Sequence, residues 1–449
     1  MFNVNKIILT IFSGFFLVSI YFLFKDFNSS DSLKGYYKIY FYLFLILSII
    51  FFISIFLRNI LKVYFLIIFF SLISSIYLVE LYIFKSGNIK LLDRSLDNWE
   101  NKFHFLQKEI IKTNTYSAFS FEDENIFSFS GLQNSMILMC NESGYWAKYK
   151  SDRHGFNNPD YVWDKKNIDI VFIGDSATKG ECVNQGDEMA SQLIIFQKKM
   201  NVINLGWQAT GPLRQFAAYK EFIGNKNIKY IFWVFFENDL EDLAIEKNNK
   251  ILMKYFNNDY FSQNLKDKDI KIKISSLILF KHKEFMKKDY EINKNVSPYS
   301  NLINFVKLYK VRQLVLRNIH KNFFDDETIN HSKNIEDELQ KFYFSLFDKL
   351  IQLTNNQTKI VLVYLPREKY GFTKGYNKSL QIKNNIFKNL KDRNIDIIDI
   401  EDEIKKKFFN PGQLYPKQHV GMHFNEKGYK FVAEKINEYL INDIKNNEN

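Results

Sequence analysis

The run Ile170-Val171-Phe172-Ile173-Gly174-Asp175-Ser176 constrains this chain more than any other stretch. An apolar run closed by Gly reads as a short buried strand at the centre of an α/β sheet. A Ser just past such a strand stands where parallel sheets hold their ligands, outside the carboxyl ends of the strands. Gly-Asp-Ser alone is a common tripeptide, and three later segments give it weight. Val202-Ile203-Asn204-Leu205-Gly206 is a second short strand ending in Gly. Tyr230-Ile231-Phe232-Trp233-Val234-Phe235-Phe236 is an apolar strand that runs into Glu237-Asn238-Asp239. His423-Phe424-Asn425-Glu426-Lys427-Gly428-Tyr429 opens the last predicted helix, over 425–442.

The pattern continues between these landmarks. Residues 336–354 read as a helix, 359–366 as a strand, 377–391 as a helix and 395–400 as a strand. Alternating strands and helices imply a parallel sheet in a three-layer α/β/α domain with right-handed crossovers. Residues 240–335 break the alternation with mixed charged and aromatic helical character. They read as a helical insertion over the carboxyl edge of the sheet, where lids and specificity elements sit. No internal repeat or low-complexity linker is visible.

Ser, Gly, Asn and His in this order, with strand–helix units between them, resemble the GDSL/SGNH hydrolase family over roughly residues 165–440. The segment Ser151-Asp152-Arg153-His154-Gly155-Phe156-Asn157-Asn158 is similar to one that precedes the Gly-Asp-Ser strand in a membrane-attached bacterial branch of that family. By that likeness it packs beside the site. The resemblance implies that Ser176 is a nucleophile and His423 its base. A neutral hydroxyl is a poor nucleophile without an adjacent base; His423 would take the proton during attack and return it to the leaving alcohol. The oxyanion donors implied are the backbone N–H groups of Ser176 and Gly206 and the side-chain amide of Asn238. Such donors are worth about 3–4 kcal/mol each in a site shielded from water. Gly at 206 would let the backbone approach substrate closely.

Two positions depart from the family pattern. Many members carry an Asp two or three residues before the His, where this chain has Gly421 and Val420. His423 would then be held by a backbone carbonyl or by a group distant in sequence. Losing the third member of a triad costs up to about 10⁴ in rate. Glu237 replaces the Gly that usually precedes the Asn, and an outward-pointing carboxylate there is the easier reading.

Each residue also fits an ordinary structural role. Ser176 fits a helix N-cap, Asn238 and Asp239 fit a turn after a strand, and His423 fits a helix start capped by Asn425. Asp175 reads as support for the turn rather than as a catalyst. The other histidines show no metal-ligand spacing, so neither metal nor other cofactor is expected.

Residues 7–24, about 39–57 and 63–79 are strongly apolar and read as three transmembrane helices, the first and third near the lower length limit. The first lacks a small-residue cleavage site and two more spans follow it, so a removed signal is not expected. The domain reading is a membrane anchor over 1–85, a linker and pre-domain segment over 86–164, and a hydrolase-like domain over 165–449. Loop Lys/Arg counts mildly oppose a cytoplasmic N-terminus. The family likeness and the cysteines point the other way, to a periplasmic domain on a bacterial inner membrane. Cys140 and Cys182 are the only cysteines. Bonded, they would staple the pre-domain segment to the loop after Ser176 in an oxidising compartment; two separate buried thiols fit the sequence equally, because spacing gives no distance.

The net charge of +11 could suggest nucleic acid. The lysines are interleaved with acids and no nucleic-acid motif is present, so a bilayer with anionic headgroups is the better partner. The expected activity is cleavage or transfer of an O-acyl group, acetyl first, on an envelope carbohydrate or another ester. The alternative is a catalytically inactive module of the same fold that binds a glycan or a partner protein. The sequence leaves the oligomeric state open.

Overall fold

Strongly apolar sequence forms the first three helices, α1 (Val4–Phe27), α2 (Lys34–Ser54) and α3 (Asn59–Ser86), with their few charged residues mostly near the ends. In this computed structural model the chain is described over residues 4–27, 34–86, 115–116, 126–140, 142, 145–224, 226–236, 238–294, 305–308, 311, 329–354, 358–366, 376–416 and 423–448. It divides into two units, Met1–Leu92 with Ser297–Ile329, and Asp93–Val296 with Asn330–Asn449. Residues 297–329, expected within the insertion over the sheet, thus group with the N-terminal helices.

In the first unit Leu9, Phe16, Phe51 and Leu66 form a small buried core. Ser13 and Ser48 each donate a hydroxyl to the other's carbonyl, at 3.5 and 3.4 Å, which ties α1 to α2. Apolar side chains also lie on the described surface of this unit, with Ile11, Phe15, Ile53, Phe56, Ile67 and Leu78 exposed. Glu80 is buried and its carboxylate accepts the Val311 N–H at 2.7 Å. Among the described residues one stretch, Asn59–Tyr82, with mean hydropathy 2.1, is long and apolar enough to cross a membrane. Val4–Ile20 and Phe41–Ser54 are shorter apolar helices.

The second unit holds two sheets. A small one pairs β1 (Thr115–Tyr116) in parallel with β2 (Met136–Leu138), which pairs antiparallel with β3 (Lys148–Lys150). The β2–β3 hairpin is prolonged by Met139 N–H to Ala147 O at 2.8 Å and Ala147 N–H to Cys140 O at 3.1 Å. Its tip therefore begins immediately after Cys140.

The larger sheet follows, in chain order, as β4 (Ile168–Ile173), α4 (Ser176–Lys179), α5 (Met189–Phe196), β5 (Val202–Asn204), α6 (Pro212–Phe222) and β6 (Ile228–Phe236). Helices α7 (Asp239–Glu246), α8 (Lys250–Asn257) and α9 (Lys268–Lys294) come next. The alternation resumes with α10 (Ile329–Leu353), β7 (Lys359–Leu365), α11 (Tyr376–Lys391), β8 (Asp396–Asp399), α12 (Ile400–Lys407) and α13 (Glu426–Glu448).

All five strands are parallel, in the order β5-β4-β6-β7-β8. Alternate residues face opposite layers. Val171, Ile173, Ile231, Trp233, Leu362 and Tyr364 pack with α6, α10 and α11. Ile170, Phe172, Phe232, Val234, Val361 and Val363 pack with α5, α12 and α13. Burying both faces is what makes these strands continuously apolar. Trp233 stacks on Phe347 with ring centroids 4.4 Å apart and donates its indole N–H to Gln215 Oε1 at 2.7 Å. The strand order reverses between β4 and β6, and such a switch point opens a crevice at the carboxyl ends. Ser176 and Asn238 follow those two strands.

Candidate active site

The turn from β4 into α4 leaves Ser176 with no capping duty. A Cβ at Gly174 would lie 1.9 Å from Thr178 Oγ1 and 2.9 Å from Val234 O, so only glycine lets the chain turn here. Asp175 is the N-cap, its carboxylate accepting the Ala177 N–H at 2.9 Å. Burial raises its carboxyl to about 6. Ser176 Oγ is thereby free to meet His423 Nε2 at 2.9 Å. The backbone N–H of Ser176 lies in the first turn of α4, where helix N–H groups have no intrahelical acceptor.

His423 is fixed by its neighbours. Phe424 stacks against Tyr415 at 4.9 Å. Asn425 caps α13 by accepting the Gly428 N–H at 3.0 Å, and its own N–H donates to Leu414 O at 2.9 Å. Capping thus falls to Asn425, and the imidazole of His423 faces the site.

The group that engages the other ring nitrogen is Glu142, whose two carboxylate oxygens both lie 3.2 Å from His423 Nδ1. A carboxylate only accepts, so Nδ1 carries the proton and Nε2 is left to accept from the Ser176 hydroxyl. Burial by itself would lower the imidazole pKa; the hydrogen bond and charge of Glu142, with the charges of Glu181 and Asp175, outweigh it and raise the value. Sequence reasoning missed Glu142. The signal available was its place two residues after Cys140, if the cysteines are paired.

They are paired. Cys140 and Cys182 are disulfide-bonded with Cα atoms 5.0 Å apart. Cys182 is fully buried and holds a left-handed backbone, φ 69°, which costs a non-glycine residue about 1–3 kcal/mol. Its sulfur lies 3.7 Å from His423 Nδ1. The cluster of Cys140, Glu142 and Cys182 offers no thiolate for a metal, since its two sulfurs bond each other. Tyr145, in the same hairpin tip, donates its hydroxyl to Glu426 at the start of α13.

Gly206 differs from expectation. Its N–H donates to Asn204 Oδ1 at 2.8 Å and is not presented to a substrate. A Cβ there would lie 2.4 Å from Lys179 N and 2.7 Å from Thr178 C. The backbone that glycine admits is that of α4, not a ligand. Lys179 strengthens the same contact. Its buried ammonium donates to Glu181 at 3.0 Å and to Gln208 Oε1 at 2.6 Å, over the Trp207 ring at 4.4 Å.

Asn238 begins α7 without capping it. One N–H of its amide donates to Asp242 Oδ2 at 2.7 Å, and its Oδ1 is buried with no partner. Its amide nitrogen carries a second N–H beyond the one given to Asp242. The turn after β6 is made by Asp239, which accepts the Phe236 N–H at 3.0 Å. Burial, then the charge of Asp175, pushes the Asp239 carboxyl well above its usual range. Glu237, singled out in the sequence, lies outside the described residues.

The Asp152–Asn158 segment does pack against the strand ends. Asn157 Nδ2 donates to Lys179 O at 3.0 Å. Asn158 Nδ2 donates to Asn204 O at 2.9 Å, and its Oδ1 accepts the Asn204 N–H at 2.8 Å. Asp152 accepts the Trp163 indole N–H at 2.8 Å and the Phe156 N–H at 3.0 Å. Arg153 points away from this network into ion pairs with Asp160 and Asp164.

No family model matches the sequence, and no curated protein is found similar to it. Among solved structures, a member of the lipolytic protein G-D-S-L family from Veillonella parvula is 11% identical, with a TM-score of 0.32 over 61% of this chain and 97% of that one. A structure described as a lipolytic protein of the G-D-S-L family from Desulfitobacterium hafniense is 13% identical, with a TM-score of 0.31 over 61% of this chain and 99% of that one. At such scores the reading of the site rests on its own geometry.

Proposed function

We propose that this protein is a membrane-tethered serine esterase or O-acyltransferase that works through an acyl-serine intermediate. The observation that carries the reading is the line from Ser176 Oγ to His423 Nε2, 2.9 Å, and from His423 Nδ1 to Glu142, 3.2 Å. In it, His423 Nε2 takes the Ser176 proton as Oγ attacks an ester carbonyl. Glu142 holds the imidazole in the productive tautomer and balances the imidazolium that forms. His423 then returns the proton to the leaving alcohol. Water or a sugar hydroxyl accepts the acyl group in the second half, which separates hydrolysis from transfer.

The oxyanion donors in this reading are the Ser176 N–H and the free amide N–H of Asn238. Gly206 drops out. The apolar N-terminal helices would anchor the domain at a bacterial inner membrane, facing the periplasm. An O-acylated, acetyl-bearing envelope carbohydrate is the substrate class that suits this placement. A glycan-binding module without turnover is the second reading; the engagement of Gly206 N–H by Asn204 and of the Asn238 amide by Asp242 favours it.

The deciding experiment is labelling of the purified full-length protein with a serine-directed fluorophosphonate. The native protein should label and Ser176→Ala should not, with both equally folded by circular dichroism. Absence of labelling in the native protein at any pH between 6 and 9 would leave only the binding reading.

A further inference from the structure

We infer that the Cys140–Cys182 disulfide positions the catalytic base, holding Glu142 on His423, so that the triad is assembled only in the oxidised protein. The inference rests on the serine-hydrolase reading above for its effect on turnover, but not for its effect on His423.

Three observations converge on one atom. Both Glu142 oxygens lie 3.2 Å from His423 Nδ1, and the Cys182 sulfur lies 3.7 Å from the same nitrogen. Glu142 stands two residues beyond Cys140, where the prolonged β2–β3 stem ends at the Ala147 N–H to Cys140 O bond. Cys182 follows Ser176 by six residues. The disulfide therefore joins the base of the Glu142-bearing tip to the loop that leaves the nucleophile. A short chain leash of this kind raises the effective concentration of the carboxylate at Nδ1.

The hairpin has other anchors, and their placement predicts a local effect. The Lys148 N–H donates to Asn184 Oδ1 at 3.1 Å, and the Gln185 N–H donates to Lys148 O at 3.1 Å. The Tyr145 hydroxyl donates to Glu426. These hold the β3 side and the far end of the tip. The Cys140 side, which leads directly into Glu142, is tied to the Cys182 loop by the disulfide. Breaking it leaves the hairpin docked and the carboxylate slack.

The chemistry has a direction. Cys182 is fully buried while Cys140 is partly exposed. A thiolate of an external dithiol attacks the Cys140 sulfur, forms a mixed disulfide and expels the Cys182 thiolate. The second thiol of the reagent attacks the mixed disulfide and releases Cys140. The dithiol loses two electrons and two protons as it closes to its own disulfide, and the protein gains both as two thiols. The charged and titratable groups facing His423 are then Glu142, Glu181, Asp175 and the freed Cys182.

The test compares native protein, native protein reduced with dithiothreitol, Cys140→Ala/Cys182→Ala, and Glu142→Gln, all full-length in detergent micelles. The titration of each histidine is followed by deuterium exchange at the imidazole C2 position, read by mass spectrometry. In the double-alanine variant His423 should titrate at lower pH than in the native protein, close to its position in Glu142→Gln. His154, buried and lowered to about 3, reports the fold and should not change. Ser176 labelling by the fluorophosphonate should slow at least tenfold in the double-alanine variant and in the reduced protein. Removing the cysteines should add nothing in the Glu142→Gln background. Native titration of His423 in a double-alanine variant whose His154 is unchanged overturns the inference, as does full-rate labelling of the reduced protein. If no form labels while His423 still shifts with the disulfide, the positioning stands and the hydrolase reading falls.

Discussion

Glu142 and His423 are 281 residues apart in the chain and 3.2 Å apart in the fold. The contact completes a Ser–His–acid line without a carboxylate next to the histidine in sequence. It also assigns the tautomer, since a charged carboxylate can hold Nδ1 only as a donor. A triad drawn from a pre-domain hairpin, a strand end and a C-terminal helix start is rigid only if the hairpin is anchored. The disulfide and the Tyr145–Glu426 bond supply that anchoring.

Glu142→Gln should lower kcat by about 10²–10⁴ with little change in KM, because the amide preserves shape but stabilises the wrong tautomer. The pH profile is the sharper readout. His423 must be neutral to accept a proton, and its pKa is raised despite burial, chiefly by Glu142. Activity should therefore be low in acid and rise with pH, with a midpoint above the usual imidazole value of about 6.5. In Glu142→Gln the midpoint should move to lower pH. A midpoint unchanged by the substitution would remove Glu142 from the mechanism.

The disulfide should also stabilise the fold. Its residues are 42 positions apart, and chain-entropy estimates for a loop of that length give about 4 kcal/mol. Denaturant titration of Cys140→Ala/Cys182→Ala against the oxidised native protein measures this. A loss below about 1 kcal/mol would mean that the unfolded chain gains little from the cross-link.

Gly206→Ala should destabilise the domain by about 3 kcal/mol and displace Ser176 as well. The new methyl would meet Lys179 N and Thr178 C, backbone atoms that cannot rotate away. Thermal unfolding and fluorophosphonate labelling should fall together. Full stability with lost labelling would instead return Gly206 to the oxyanion hole.

Topology is testable with reporters. With three spans and the N-terminus inside, as proposed, residues after the third helix would lie in the periplasm. Alkaline phosphatase fused after Asn449 should be active in cells, and a fluorescent protein that matures only in the cytoplasm should stay dark. Fluorescence would put the domain inside, where a persistent Cys140–Cys182 bond is not expected.

Much of this molecule is legible in one dimension because its signals are local. Strands buried on both faces must be continuously apolar, so Ile168–Ile173, Ile228–Phe236 and Lys359–Leu365 announce themselves. Ser176 and Asn238 follow the ends of two such strands, and His423 stands just before the last helix. Hydrophobic character along α1 to α3 is equally local. What tertiary structure decided is which ends meet. The order β5-β4-β6-β7-β8 brings the ends of β4 and β6 together, and no periodicity encodes strand order. The role of Gly206 changed because the atoms near its missing Cβ belong to α4. Glu142 could be named only once the disulfide and the hairpin carried it to His423, since a partner 281 residues away leaves no spacing to read.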